Sequence, residues 1–215
     1  MAQRVADRLT GAIAARGRAT LVLSGGRTPI RFFEQLRQQS LQWDRLIVTL
    51  ADERWISPAS ADSNERLVRE HLLMGEAGRA RFFGLKNTAP TPFEGLQDCS
   101  DMLGQLPRPF DVVVLGMGDD GHFASLFPGI PELEAALDLN SGARCVAVDP
   151  PSAPHQRMSQ TLAALLDAGQ LILHFEGERK WRRYLEALES GPANELPTRA
   201  LLGQQRTQVE VYWAP

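Results

Sequence analysis

Cysteine is scarce in this 215-residue chain. Its two residues, Cys99 and Cys145, stand too far apart in sequence for the close pairs of a zinc site or a dithiol redox motif. Both read as ordinary reduced thiols. No apolar run approaches the length of a membrane span, and the opening Met1 to Gly17 carries Arg and Asp where a signal peptide is continuously apolar. That predicts a cytoplasmic protein with no membrane partner. Charge of one sign is not in excess either. With 23 Lys and Arg against 26 Asp and Glu, the formal net charge of −3 speaks against a nucleic-acid partner and leaves room for a local basic cluster that binds a small anion. No internal repeat or long low-complexity linker divides the chain, which predicts a single domain over residues 1–215. The expected state is a monomer or weak homo-oligomer.

What is present is ordinary globular composition, 43% hydrophobic and 23% charged, sufficient for a core without disulfides or a structural metal. The Ala-rich segment Val5 to Arg16 has helical periodicity, and Ala19 to Leu23 reads as a strand ending in Ser24-Gly25-Gly26. Thr28 is placed as a helix N-cap with Pro29 at the first helical position, and Ile30, Phe33 and Leu36 as the buried stripe. Leu46 to Leu50 predicts a second strand that stops at Asp52-Glu53-Arg54, followed by a helix capped near Asp62 or Ser63. Asp111 to Leu115 predicts a third, running into Gly116-Met117-Gly118-Asp119-Asp120-Gly121-His122 and a short helix closed by Phe127-Pro128-Gly129. Cys145 to Val148, Leu171 to Phe175 and Val209 to Trp213 read as later strands, and Lys180 to Leu188 as an amphipathic helix. Strands alternating with helices predict an α/β fold: a mainly parallel sheet with helices on both faces, a Rossmann-like three-layer architecture. Ligands of such sheets gather beyond the carboxyl ends of the strands.

Three of those strand ends carry unusual residues. Ser24-Gly25-Gly26-Arg27-Thr28 allows close approach of backbone N–H groups to an anion, with a helix start beyond it, so the loop reads as a phosphate cradle or as a tight glycine turn. Arg54 offers a bidentate fork to the same phosphate, with Asp52 steadying it or bonding a sugar hydroxyl; the alternative is a surface salt bridge. His122 is the candidate general base, set in a glycine-rich acidic turn at an expected helix start, where a neighbour such as Asp120 can fix its tautomer. His71, His155 and His174 are bland by comparison; His71 lies in a helix pattern and His174 in a strand, and neither has a visible catalytic neighbour.

Rival chemistries fit less well. Gly116, Gly118 and Gly121 match the spacing of a dinucleotide fingerprint, but two aspartates in the turn would face a pyrophosphate and no acidic residue ends a clear second strand about twenty residues on. A serine nucleophile elbow is absent, with Ser125 expected inside the short helix. His122 with Asp119 or Asp120 lacks a second cluster of metal ligands.

Together, SGGRTP at Ser24 to Pro29, ADERW at Ala51 to Trp55, SNERL at Ser63 to Leu67 and LGMGDDGHFASLFPG at Leu115 to Gly129 resemble the 6-phosphogluconolactonase family. The likeness continues through PPSAPHQRMSQTL at Pro150 to Leu162, Gly177 to Lys180 and the ending VEVYWAP, nearly the whole chain. The resemblance implies hydrolysis of a sugar-phosphate lactone without metal or cofactor. It assigns the phosphate to Ser24, Gly25, Gly26, Arg27, Thr28, Arg54, Arg157 and Lys180, with Asp52 at the substrate, and catalysis to His122 supported by Asp120. Glucosamine-6-phosphate deaminase, a ring-opening isomerase of similar fold, is the alternative. Its histidine loop continues in an Asn-Glu-Pro manner, whereas this chain has Ser125-Leu126-Phe127-Pro128. A non-catalytic sugar-phosphate sensor of this fold would bring a DNA-binding segment, and none is visible. The chain departs from many relatives at Arg27 and Phe123, where a small residue and threonine are common.

Overall fold

Helix α1 (Ala2–Arg16) turns Val5, Leu9, Ala12 and Ile13 inward at helical spacing and stops at Gly17, whose φ of 74° returns its N–H to the Ile13 carbonyl. A computed structural model describes residues 1–215. After α1 come β1 (Ala19–Leu23), α2 (Ile30–Leu36), β2 (Leu46–Leu50), β3 (Asp52–Arg54), α3 (Asn64–His71), β4 (Arg81–Phe83) and α4 (Leu96–Gly104). The chain continues through β5 (Val112–Leu115), α5 (Leu133–Leu137), β6 (Cys145–Val148), β7 (Arg157–Gln160), α6 (Leu162–Leu166), β8 (Leu171–Glu176), α7 (Glu178–Leu188), α8 (Thr198–Gly203) and β9 (Val209–Ala214).

Every residue of β1, β2 and β5 is buried, as expected of strands covered on both faces. They belong to a six-stranded sheet in the order β4-β2-β1-β5-β8-β9, parallel at each pairing and surrounded by helices. From β1 the chain first moves to β2 and β4 on one side, then returns to β5, β8 and β9 on the other. The strand order therefore reverses between β1 and β5, and the crevice beyond their carboxyl ends is where such a sheet opens for a ligand. The continuous core of 50 buried residues draws on elements from α1 to α8.

A second, three-stranded antiparallel sheet, β3-β7-β6, was not expected from the sequence. Ala51 joins the two: its N–H bonds the Leu23 carbonyl at 2.8 Å, and its own carbonyl accepts the Gln160 N–H at 2.8 Å. Asp52 to Arg54 thus form a strand of their own rather than the tail of β2. Two local expectations also fail. Thr28 does not cap α2, because the chain makes another turn first and the helix begins at Ile30 without a side-chain cap. No helix follows His122; residues 123–128 form a turn closed by a Phe123–Leu126 bridge, so Ser125 sits in that turn. Pro128 and the need to bury Phe123, Leu126 and Phe127 at once favour this compact turn over a regular helix. Ser63 does cap α3, accepting the Arg66 N–H.

Candidate active site

The crevice between β1 and β5 is a cleft with a volume of about 210 Å³. Its walls include Ser24, Gly25, Gly26, Arg27 and Thr28 after β1; Asp52 and Arg54 on β3; His122 after β5; Arg157 on β7; and Lys180 on α7. Segments up to 156 positions apart in sequence, from Ser24 to Lys180, converge here because the sheet brings their strand ends to one edge. Of the residues singled out from sequence, Asp120 alone is not in the lining. It stands behind His122.

That arrangement is tightly specified. Asp120 Oδ1 lies 2.6 Å from His122 Nδ1 and also accepts the His122 backbone N–H at 3.1 Å. Burial pushes the Asp120 carboxyl up, but the hydrogen bond and electrostatic pull of the His122 ring, with the His122 backbone N–H, outweigh it and hold the carboxyl below its ordinary value. One face of the imidazole is covered by Phe127, whose ring centroid is 4.1 Å away. The turn is braced from beneath: the Gly118 N–H bonds the His122 carbonyl at 2.8 Å, and Thr198 bonds the Gly121 carbonyl through both its N–H and hydroxyl. At Gly118 a Cβ would collide with the His122 ring and the Asp120 carboxylate, so only glycine lets the two pack this closely.

The cationic side is built on the small sheet. Arg54 and Arg157 are directly paired across β3 and β7. Arg54 Nη1 bonds the Asp62 carbonyl at 2.5 Å and Asn64 Oδ1 at 3.1 Å, whereas Arg157 is buried, with an Nη2 bond to the Pro154 carbonyl and no partner for Nε. Burial pushes the Arg157 guanidinium below its ordinary value; Asp52 opposes that drop and Arg54 reinforces it. The expected Asp52 to Arg54 contact is not formed. Asp52 instead accepts the Ser125 hydroxyl at 2.5 Å and the Asn64 amide at 3.4 Å, tying β3 to the turn after His122. Glu53, fully buried, accepts the N–H groups of Arg54, Asn64 and Glu65 and the Ser63 hydroxyl, locking β3 to the start of α3. Burial raises its carboxyl above the ordinary value even against those four donors.

Among the polar side chains of the lining, Asn64 and His174 escaped the sequence reading of the site. Asn64 closes against Gly25, where any Cβ would strike its side chain, so packing requires glycine at this position of the loop. The signal for Asn64 lay in the SNERL segment, read as a helix start and as part of the family resemblance but not as a source of a site residue. His174 stood at the carboxyl end of a recognised strand, where ligands gather. The Ser24 hydroxyl is buried without a partner at the mouth of the same loop. No group of three or more His, Cys, Asp or Glu side chains is gathered to hold a metal, and no helix is long and apolar enough to cross a membrane.

Comparison with known proteins bears directly on this geometry. The family model described as glucosamine-6-phosphate isomerases/6-phosphogluconolactonase matches residues 1–213. A 6-phosphogluconolactonase of Pseudomonas aeruginosa is 45% identical over 215 residues, which cover 100% of this chain and 89% of the relative. The crystal structure of a 6-phosphogluconolactonase from Shewanella baltica OS155 superposes with a TM-score of 0.96 at 47% identity, covering 100% of this chain and 91% of that one. A monomeric glucosamine-6-phosphate deaminase shares the fold, with a TM-score of 0.78 at 19% identity and coverage of 99% and 92%. By sequence and by structure, the chain belongs to the glucosamine-6-phosphate isomerase/6-phosphogluconolactonase family.

Proposed function

We propose that this chain, acting as a single domain over residues 1–215, hydrolyses 6-phospho-D-glucono-1,5-lactone to 6-phospho-D-gluconate in the oxidative pentose phosphate pathway. Relatives named 6-phosphogluconolactonase at 40–46% identity over the full chain support that reaction. The observation that carries the mechanism is His122, backed by Asp120, lining one cleft with Arg54, Arg157 and Lys180.

With the Asp120 carboxylate on Nδ1–H, the Nε2 lone pair of His122 is free to act as a base. In this reading His122 takes a proton from water as the water oxygen attacks the lactone carbonyl. The tetrahedral intermediate then collapses, the carbonyl carbon to ring oxygen bond breaks, and His122 returns the proton to the departing ring oxygen. The products are a carboxylic acid, which ionises, and a free hydroxyl. Ser24 to Thr28, Arg54, Arg157 and Lys180 hold the phosphate, and Asp52 faces the sugar. A lactone already reactive in water needs chiefly to be positioned against one base, which suits a site without a covalent nucleophile. Ser125 is not such a nucleophile, since its hydroxyl is buried and donates to Asp52.

The test is a side-by-side assay in buffer containing a chelator. Freshly generated 6-phosphogluconolactone is expected to be hydrolysed well above its spontaneous rate, read by acid release. Ammonia release from glucosamine 6-phosphate with the lactone decaying only spontaneously would replace this reading with the deaminase one, and dependence on added divalent metal would defeat the metal-free mechanism.

A further inference from the structure

The proposed chemistry uses one histidine of the cleft, but a second, His174 near the end of β8, also lines it. With Thr28, His174 forms the wall between this cleft and a neighbouring depression bounded by Arg31, Phe32 and the start of α1. Its ring stands nearly perpendicular to Phe32, 77° between planes at a centroid distance of 6.4 Å, which restricts its orientation. Its two nitrogens differ. Nδ1 is buried without a hydrogen-bond partner, whereas Nε2 has no protein partner and is not buried, so it is the nitrogen open to a ligand.

Building on the lactonase reading, we propose that His174 is a specificity-determining residue whose neutral imidazole donates Nε2–H to the phosphoryl group of the substrate. The buried Nδ1 chooses the tautomer. A proton there would leave an N–H sealed from water with no acceptor, which costs more than an unshared lone pair in the same place. Doubly protonated, the ring would bury both that unpaired N–H and a charge. Burial pushes the ring's pKa below its ordinary value; Glu176 on the same strand opposes the drop, and the Met1 amino group just before α1 and Lys180 on α7 reinforce it. From α2, Arg31 lines the same neighbouring depression as His174. The ring thus offers a donor without adding a charge. A phosphate held by Thr28 and Lys180 brings acceptor oxygens to the wall they share with His174.

Isothermal titration with 6-phosphogluconate and with gluconate, on the whole chain and its His174→Leu, His174→Gln and His174→Asn variants, tests this. His174→Leu is expected to weaken 6-phosphogluconate about tenfold, the effect of losing one hydrogen bond to a charged group. His174→Gln should recover most of that loss, since its amide reaches the place of Nε2, and His174→Asn, whose amide overlies Nδ1, should not. The ratio between the parent chain and His174→Leu should be the same at pH 7 and pH 8.5. A change under twofold for His174→Leu, rescue by Asn rather than Gln, or an equal fractional loss for gluconate would overturn the proposal. So would a ratio that shrinks at the higher pH, since that would make an imidazolium the ligand. Should His174→Leu fail to fold, the Gln against Asn comparison still decides. Because the readout is binding, the proposal stands or falls separately from lactone turnover, which reports on the functional reading.

Discussion

A single oxygen, Oδ1 of Asp120, meets both the ring Nδ1 and the backbone N–H of His122. The carboxylate therefore fixes the imidazole and the peptide that carries it together, and the two residues act as one unit.

His122→Ala should keep the fold and lower kcat by roughly 100- to 10,000-fold, the usual contribution of a positioned base. Asp120→Asn should lower kcat by less, with KM moving little, because the base remains but its tautomer is no longer enforced. Steady-state kinetics beside circular dichroism separate these outcomes from unfolding, and near-normal turnover in folded His122→Ala would sink the assignment.

Arg157→Ala and Arg54→Ala should act mainly on KM for the phosphorylated lactone, by about 10- to 100-fold, as expected for a lost charge-assisted hydrogen bond of about 1.5–3 kcal/mol. Unphosphorylated gluconolactone should be a poor substrate for the parent chain. Equal catalytic efficiency on the two lactones would contradict a dedicated phosphate site.

Gly118→Ala should cost turnover without unfolding the chain. Its new methyl would occupy space held by the His122 ring and the Asp120 carboxylate, forcing the pair apart, whereas Gly118 itself is only partly buried. A kcat close to that of the parent chain would show that the turn relaxes freely and that the close approach is not needed.

Stability should also carry a signature of the pair. The Asp120 carboxyl is held below its unfolded value, so in acid the unfolded chain takes up its proton before the folded one does. The contribution is present above the unfolded value of 3.8 and is lost as pH falls through the lower folded value. Urea midpoints measured from pH 5 to pH 3 should fall more steeply for the parent chain than for Asp120→Asn, and parallel curves would argue against the coupling.

Much of this was legible in the sequence because apolar runs and glycines are local signals. The central strands β1 and β2 lie at Ala19–Leu23 and Leu46–Leu50 as read, and the loops after β1 and β5 were recognised by composition. The errors arise where a tertiary partner decides. Asp52 to Arg54 become a separate strand only because β7 lies beside them, more than 100 positions later. The segment after His122 has helical residues but turns to bury Phe123, Leu126 and Phe127 together. Asn64, within SNERL, and His174, which carries no motif of its own, enter the cleft through the packing of α3 and the register of β8.

The direct pairing of Arg54 with Arg157 across β3 and β7 has a consequence for the cleft as a whole. Like charges placed opposite each other loosen an antiparallel ladder. On the proposed reading a phosphate dianion bridging the two guanidinium groups would turn that repulsion into attraction and lend the small sheet part of its rigidity, so its amides should exchange hydrogen most slowly when the cleft is filled.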